Sequence, residues 1–224
     1  MTQKTYSLVV FDWDGTLMDS TPAIVRAIQA SCEDLGYPVP PDEAAAWVIG
    51  LSLDEALSAV VPSLLPADLE RFVARYRFHY LTRDPELRLF EGVLPMLEAL
   101  KHQGALLAVA TGKSRRGLER ALDNTGLRPY FDITRCADES RSKPHPAMLF
   151  DILDRLMLEA GTGVMIGDTS HDLHMAKQAG MDAVGVTYGA HKKEILMDCA
   201  PLGLFSSTIH LDQWLRPQVV AAYS

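Results

Sequence analysis

The chain is 224 residues long, 48% hydrophobic and 22% charged, with no low-complexity tract, which excludes a disordered chain and allows one large α/β domain or a core with a smaller second domain. Its formal net charge of −8 argues against nucleic acid as the main partner, because no basic stripe exists to release counterions; a small anionic substrate stays open through local positive charge. No stretch approaches the ~18 apolar residues of a membrane span, and MTQKTYS before a short apolar run does not make a secretory leader, so a cytoplasmic protein with no membrane partner is expected.

In chain order, the first signal is Leu8, Val9, Val10 and Phe11, too uniformly apolar for a half-solvated strand and therefore read as a strand buried on both faces. Asp12 and Asp14 follow at its carboxyl end, the edge that faces the ligand crevice in open parallel sheets, and two adjacent negative charges there call for a cation. Gly15 supplies the freedom for a sharp exit, and the amides of such a turn suit an anion. Thr21 and Pro22 read as an N-cap and first helical residue, opening a helix over 22–35 that stops at Gly36. After YPVPP come helical stretches at Asp42 to Val48, Ser52 to Val60 beyond the break at Gly50, and Pro66 to Thr82. No strand signal appears between about residues 18 and 88, too long an excursion for a simple crossover, so residues 18–87 are expected to form an inserted helical cap, with 1–17 and 88–224 as the α/β core.

From Phe90 onward, helix, glycine and strand alternate. Val93 to His102 is helical and stops at Gly104, Ala105 to Ala110 is a buried strand, and Ser114 caps a helix running to Asn124 before Gly126. Pro146 to Leu158 is helical, Gly163 to Ile166 a strand, Ser170 to Ala179 a helix ending at Gly180, and Met181 to Val186 a strand. Short helices at His191 to Met197 and His210 to Trp214 close the chain. Such alternation builds a doubly wound parallel sheet. Cys32, Cys136 and Cys199 match neither a disulfide framework nor a zinc site and are read as buried or inert thiols.

The polar residues fall at the ends of these strands. Thr111 offers a hydroxyl and Gly112 an amide just before a helix N-terminus, a ready anion site; TGKS is not a P-loop, since Leu107 stands where that motif needs glycine. In SKPHP, Lys143 is held by the following Pro144 and Pro146 in a constrained turn; a lone lysine would be a solvated charge, and only its place among the other motifs singles it out. In GDTSHD, Asp168 ends a strand as Asp12 does, and Asp172 projects to the same side of the opening helical turn. Several carboxylates around one crevice require a hard cation with oxygen ligands, and Mg²⁺ fits because it keeps waters and bridges to phosphate. His171 and His174 are read first as a solvated helix face, with zinc disfavoured for want of a cysteine partner. GTGVMIG is not a dinucleotide fingerprint, because its glycines bracket a strand.

DWDGT, ATGKS, SKPHP and GDTSHD, in this order and on these elements, resemble the four motifs of the haloacid-dehalogenase-like (HAD) hydrolases. With the helical insertion after the first motif, the chain is similar to their phosphoglycolate phosphatase-like subgroup along nearly its full length. The resemblance implies Asp12 as nucleophile, Asp14 as acid/base, Thr111 and Lys143 as phosphoryl-binding groups, and Asp12, Asp168, Asp172 and the main-chain carbonyl of Asp14 as the Mg²⁺ site. It implies a phosphatase working on a small phosphorylated metabolite through an aspartyl phosphate, as a monomer or small homo-oligomer. Asp14 favours phosphate esters over other chemistry of the superfamily, since dehalogenases and phosphonate-cleaving relatives lack Asp there, the latter showing DWAGT. A phosphosugar mutase, a pyrophosphatase or nucleotidase, and an idle binding protein on the same fold are the alternatives. In the cap, Gly50, Leu51 and Ser52 are expected to face the substrate, with Arg75, Arg77 and His79 as further candidates.

Overall fold

The computed structural model describes residues 4–223. Six parallel strands form one sheet: β1 (Leu8–Phe11), β2 (Leu106–Thr111), β3 (Ile133–Cys136), β4 (Gly163–Gly167), β5 (Asp182–Val186) and β6 (Leu204–Phe205), in the order β3-β2-β1-β4-β5-β6. The chain builds outward from β1 to β3 and then returns to lay β4 on the other side of β1, so the winding reverses between β1 and β4. A ligand crevice opens beyond the carboxyl ends of strands at such a reversal.

β1 occupies this central position because both of its faces are apolar. Val9 and Phe11 pack into one core with Val93, Met96, Leu97 and Leu100 of α5 (Val93–His102), while Leu8 and Val10 pack into the other with Met148, Leu149 and Ile152 of α7 (Ala147–Leu156) and Met175 of α8 (Ser170–Ala179). All four strand residues are fully buried, each contributing about 1.5–3 kcal/mol relative to exposure. A register that pairs Phe11 with Val109 on one side and Ile166 on the other puts Asp12 beside the ends of both neighbours.

Between β1 and α5 lie four helices: α1 (Thr21–Leu35), α2 (Asp42–Trp47), α3 (Leu53–Val60) and α4 (Leu69–Arg83), the last preceded by a short 3₁₀ turn at Pro66–Asp68. They have small cores of their own, one around Ile24, Ile28, Val48, Ile49 and Tyr80, another around Cys32, Leu57, Val61 and Phe72. Among the described residues, the ladder-like pairings in this region are isolated bridges at its margins, Met18 to Asp14 and to Leu89. The second half continues with α6 (Arg115–Thr125), α9 (Lys193–Asp198) and α10 (Thr208–Leu215). No helix among the described residues is long and apolar enough to cross a membrane.

Three local expectations need correction. The N-cap of α1 is Ser20 rather than Thr21, and its hydroxyl binds Asp14 instead of the helix end. β3 and β6 escape a pattern search: Ile133-Thr134-Arg135-Cys136 alternates with polar residues and is only half-buried, and Leu204–Phe205 is a two-residue edge. Helix α7 ends at Leu156, two residues short of the expected Leu158, with Met157 in the left-handed region. The cysteines are free, Cys32 and Cys136 are buried, and burial pushes the Cys136 thiol up to about 12, as expected of inert thiols.

Candidate active site

Asp12, Asp168 and Asp172 converge where β1 and β4 end, all three buried and with one ligand atom of each within 4.8 Å of the others. Each is positioned by its own loop. The main-chain N–H of Asp12 donates to the Ile166 carbonyl at 2.9 Å, extending the ladder one step beyond the strand. Asp168 accepts from the Thr16 hydroxyl at 3.0 Å and the Ala190 N–H at 2.7 Å. Asp172 sits at the third position of α8, where Oδ2 accepts from the N–H and hydroxyl of Thr169 in a reciprocal capping box. Glycine is required around this cluster: a Cβ on Gly15, whose φ is +82°, would stand 2.1 Å from Asp168 Oδ2, and one on Gly189 2.2 Å from it.

One cation enters. Lys143, itself buried, places Nζ 2.5 Å from Asp12 Oδ1 and 2.6 Å from Asp172 Oδ1, the second contact being an ion pair rather than a well-aligned hydrogen bond. Burial alone would lower the Lys143 ammonium, but Asp12 and Asp172 outweigh it and hold the group above its ordinary value. Three carboxylates against one ammonium leave two negative charges uncompensated if all ionise. The consequence is visible in the acids: burial, with help from Asp172 and Asp14 against the lowering effect of Lys143, pushes Asp12 up to about 7, and burial together with Asp12 and Asp172 raises Asp168 well above the carboxylate range. Asp12 Oδ2 is buried with no hydrogen-bond partner. An orphaned carboxylate oxygen in an all-oxygen, doubly negative cluster is the donor set of a hard divalent cation, and the residues fit one.

Asp14 is set apart. Its carboxylate is turned to the Ser20 hydroxyl at 2.6 Å and the Lys113 ammonium at 2.9 Å, so it stands outside the cluster of Asp12, Asp168 and Asp172; two residues beyond Asp12, it lies past the strand end and follows the turn. The expected free amide of Gly15 is likewise committed, donating to the Met18 carbonyl at 2.9 Å as the turn closes on itself. Thr111 is buried, with its hydroxyl accepting from the Lys113 N–H at 3.2 Å. Gly112 lies against the helical segment so closely that a Cβ there would be 2.4 Å from the Leu51 carbonyl oxygen and 2.6 Å from that of Gly50. Ser52 caps α3 with its hydroxyl and donates its N–H to Ser142 at 2.8 Å, tying the helical segment to the loop that carries Lys143.

Above Asp12 and Asp14 is a cavity of about 540 Å³ between the sheet edge and the helices, with Gly50, Leu51, Ser52 and Arg77 in its wall. Arg75 and His79 do not face it; both turn to Asp34, because the helix face they share points along α1. His171 is not solvated. Its Nε2 and that of His191 meet the Trp47 carbonyl at 2.9 and 3.0 Å, and the Trp47 indole stacks on His191 at 4.5 Å. Burial lowers both imidazoles. His174 faces Cys199. Thr16 holds the carboxylate of Asp168, and Ser20 and Lys113 hold that of Asp14; in the sequence these three carry no signal beyond proximity to Asp12 and Thr111.

Residues 9–186 match the family model described as haloacid dehalogenase-like hydrolase. The chain belongs to that family. It is 41% identical over 202 residues to the probable phosphatase IndB of Dickeya dadantii, covering 87% of this chain and 86% of that one. It is 33% identical over 203 residues to a phosphoglycolate phosphatase of Aliivibrio fischeri, covering 87% and 89%. A solved structure of a predicted phosphoglycolate phosphatase from Haemophilus somnus 129PT superposes with a TM-score of 0.84 at 26% identity, over 96% of this chain and 99% of that one. The chain is thus a HAD-like enzyme of the phosphatase subgroup, on a parallel six-stranded sheet with flanking helices.

Proposed function

We propose that this HAD-like phosphatase hydrolyses a small-molecule phosphate monoester through a phosphorylated Asp12, with Mg²⁺ held by Asp12, Asp168, the main-chain carbonyl of Asp14 and the support of Asp172. The observation that carries the reading is the unequal dressing of Asp12: Oδ1 is held by Lys143 while buried Oδ2 has no partner. An Asp12 oxygen attacks phosphorus, the bond from phosphorus to the leaving oxygen breaks, and Asp14 in its acid form gives that oxygen a proton. Asp14, now a carboxylate, takes a proton from water as the water oxygen attacks the acyl phosphate, freeing Asp12 and inorganic phosphate. Bound Mg²⁺ supplies positive charge against the transferring phosphoryl group. Lys143 supplies the same from the protein and fixes the Asp12 rotamer; Thr111 and the Gly112 amide bind phosphoryl oxygens. Ser20 and Lys113 orient Asp14 toward the cavity. Residues 18–87 act as the cap that covers the site and excludes bulk water.

The test is acid quenching during turnover with ³²P-labelled ester and Mg²⁺, followed by peptide mapping. Label on the peptide carrying Asp12, lost in Asp12→Asn, is expected; turnover with label elsewhere or with none in Asp12 at any quench time rejects the mechanism.

A further inference from the structure

The cavity above Asp14 has a chemistry that narrows the leaving group. Much of its helical wall is apolar, formed by Ile24, Ile28, Val48, Ile49 and Val73, with Tyr76 and Tyr80 beside them as a stacked pair, ring centroids 6.0 Å apart and 20° from parallel, and Ser52, Asp54 and Arg77 as its polar side chains. The cations near its floor are already engaged. Lys113 is shared between Asp14 and the Tyr80 hydroxyl at 3.1 Å, and burial, which alone would lower it, is outweighed by Asp14 so that it stays charged. Arg120 is paired with Asp84 at 2.9 Å. Arg77 and Arg116 also line the cavity and are both exposed to solvent.

A carboxylate one carbon away from the ester oxygen would lie next to Asp14, where Lys113 is already paired, and of the arginines lining the cavity Arg77 and Arg116 are exposed to solvent, which weakens their hold on an anion. A polyhydroxylated sugar would find few polar side chains to spare: the Ser52 and Ser114 hydroxyls cap α3 and α6, Asp138 accepts from the Arg115 N–H, and Asp54 and Tyr76 also line the cavity. A ring meets the opposite situation, since flat apolar area is what the wall offers and a cavity of about 540 Å³ leaves room for it.

We infer that the preferred substrate is a phosphate monoester whose alcohol carries an aromatic or heteroaromatic ring, lodged between Tyr76 and the Ile24, Ile28 and Val73 side of the cavity, rather than a small carboxylated ester or a sugar phosphate. This rests on the phosphatase reading above and deepens it. Ring burial acts in both ground and transition state, so it raises kcat/KM chiefly through KM.

The experiment compares kcat/KM with Mg²⁺ for esters of similar primary alcohols, so that leaving-group acidity does not decide the outcome: 2-phenylethyl phosphate, ethyl phosphate, 2-phosphoglycolate and glucose 6-phosphate. The phenylethyl ester is expected to exceed each of the others by at least about 30-fold, the scale of apolar pocket discrimination. Tyr76→Ala should cut the phenylethyl-to-ethyl ratio at least about fivefold, and Val73→Ala should move it the same way if the first variant fails to fold. Equal rates across the series, a preference for 2-phosphoglycolate or glucose 6-phosphate, or a ratio untouched in a folded Tyr76→Ala overturns the inference and leaves the phosphatase reading standing. No hydrolysis of any ester, with no labelling of Asp12 by acetyl [³²P]phosphate, overturns both.

Discussion

The sheet edge and the helical wall face each other across one cavity and are built on opposite principles. At the edge, four charged side chains are almost wholly buried, and Asp168 and Asp172 each have two donors in fixed loops. Gly15 and Gly189 come so close to the Asp168 carboxylate that a Cβ on either would clash with it. The wall is largely apolar and is joined to the edge through a few contacts, chiefly Ser52 to Ser142, Gly112 under Gly50 and Leu51, and Trp47 under His171 and His191. Electrostatics falls off slowly and demands fixed geometry, whereas an apolar surface tolerates substitution if volume is kept. Under the proposed function, the edge sets the reaction and the wall sets the substrate.

The sharpest way to break that division is at Asp12. Asp12→Asn is expected to lower kcat by about 10⁴-fold or more, while circular dichroism and the melting temperature show an intact fold, because removing one of three crowded carboxylates relieves repulsion. A folded Asp12→Asn enzyme retaining a tenth of the activity would assign the reaction elsewhere.

Metal removal probes the same edge. EDTA should silence the enzyme, Mg²⁺ should restore it, and excess Ca²⁺ should inhibit, as its larger coordination number misplaces the oxygens. A pH dependence follows from Asp12. Its acid is raised from 3.8 to about 7 in the folded metal-free protein, so the native state holds more protons than the unfolded chain across that range, and the contribution of this group to stability falls as pH rises through it. Mg²⁺ must displace that proton to bind. The increase in melting temperature caused by Mg²⁺ should therefore be greater at pH 8 than at pH 6; an equal or smaller shift at pH 8 would contradict the assignment of Asp12 as a ligand.

Within the wall, Leu57→Ala removes a fully buried side chain from the small core it shares with Cys32, Val61 and Phe72, and should cost about 2–5 kcal/mol by urea denaturation. If the two regions are as separable as their contacts imply, turnover at saturating substrate below the transition should change far less than stability does.

Lys113 spans both regions, touching Asp14 with the same ammonium that touches Tyr80. Lys113→Met should lower kcat by about 10- to 100-fold through loss of Asp14 positioning, less than replacing Asp14 itself, yet still permit ³²P labelling of Asp12. An unchanged kcat would show that Asp14 needs no partner there.

Much of this molecule is readable from residue order alone. Leu8–Phe11 is apolar at four consecutive positions, the pattern of a short strand buried on both faces, and the acids that follow such a strand lie at a sheet edge. The alternation of helix, glycine and strand from Val93 to Val186 foretold the doubly wound sheet for the same local reason: glycine in the left-handed region closes α6 and α8. What sequence could not supply was the choice of partner across long separations. That Lys143 is buried between Asp12 and Asp172 rather than solvated, that Asp14 turns from the cluster to Ser20 and Lys113, that Arg75 and His79 face Asp34 instead of the cavity, and that His171 meets Trp47 are all decided by how separate segments dock. Local pattern reports which face of an element is apolar; it carries no information on which charge arrives opposite. Pairing of buried charges is settled only once packing has excluded water from them, and that is a property of the assembled fold.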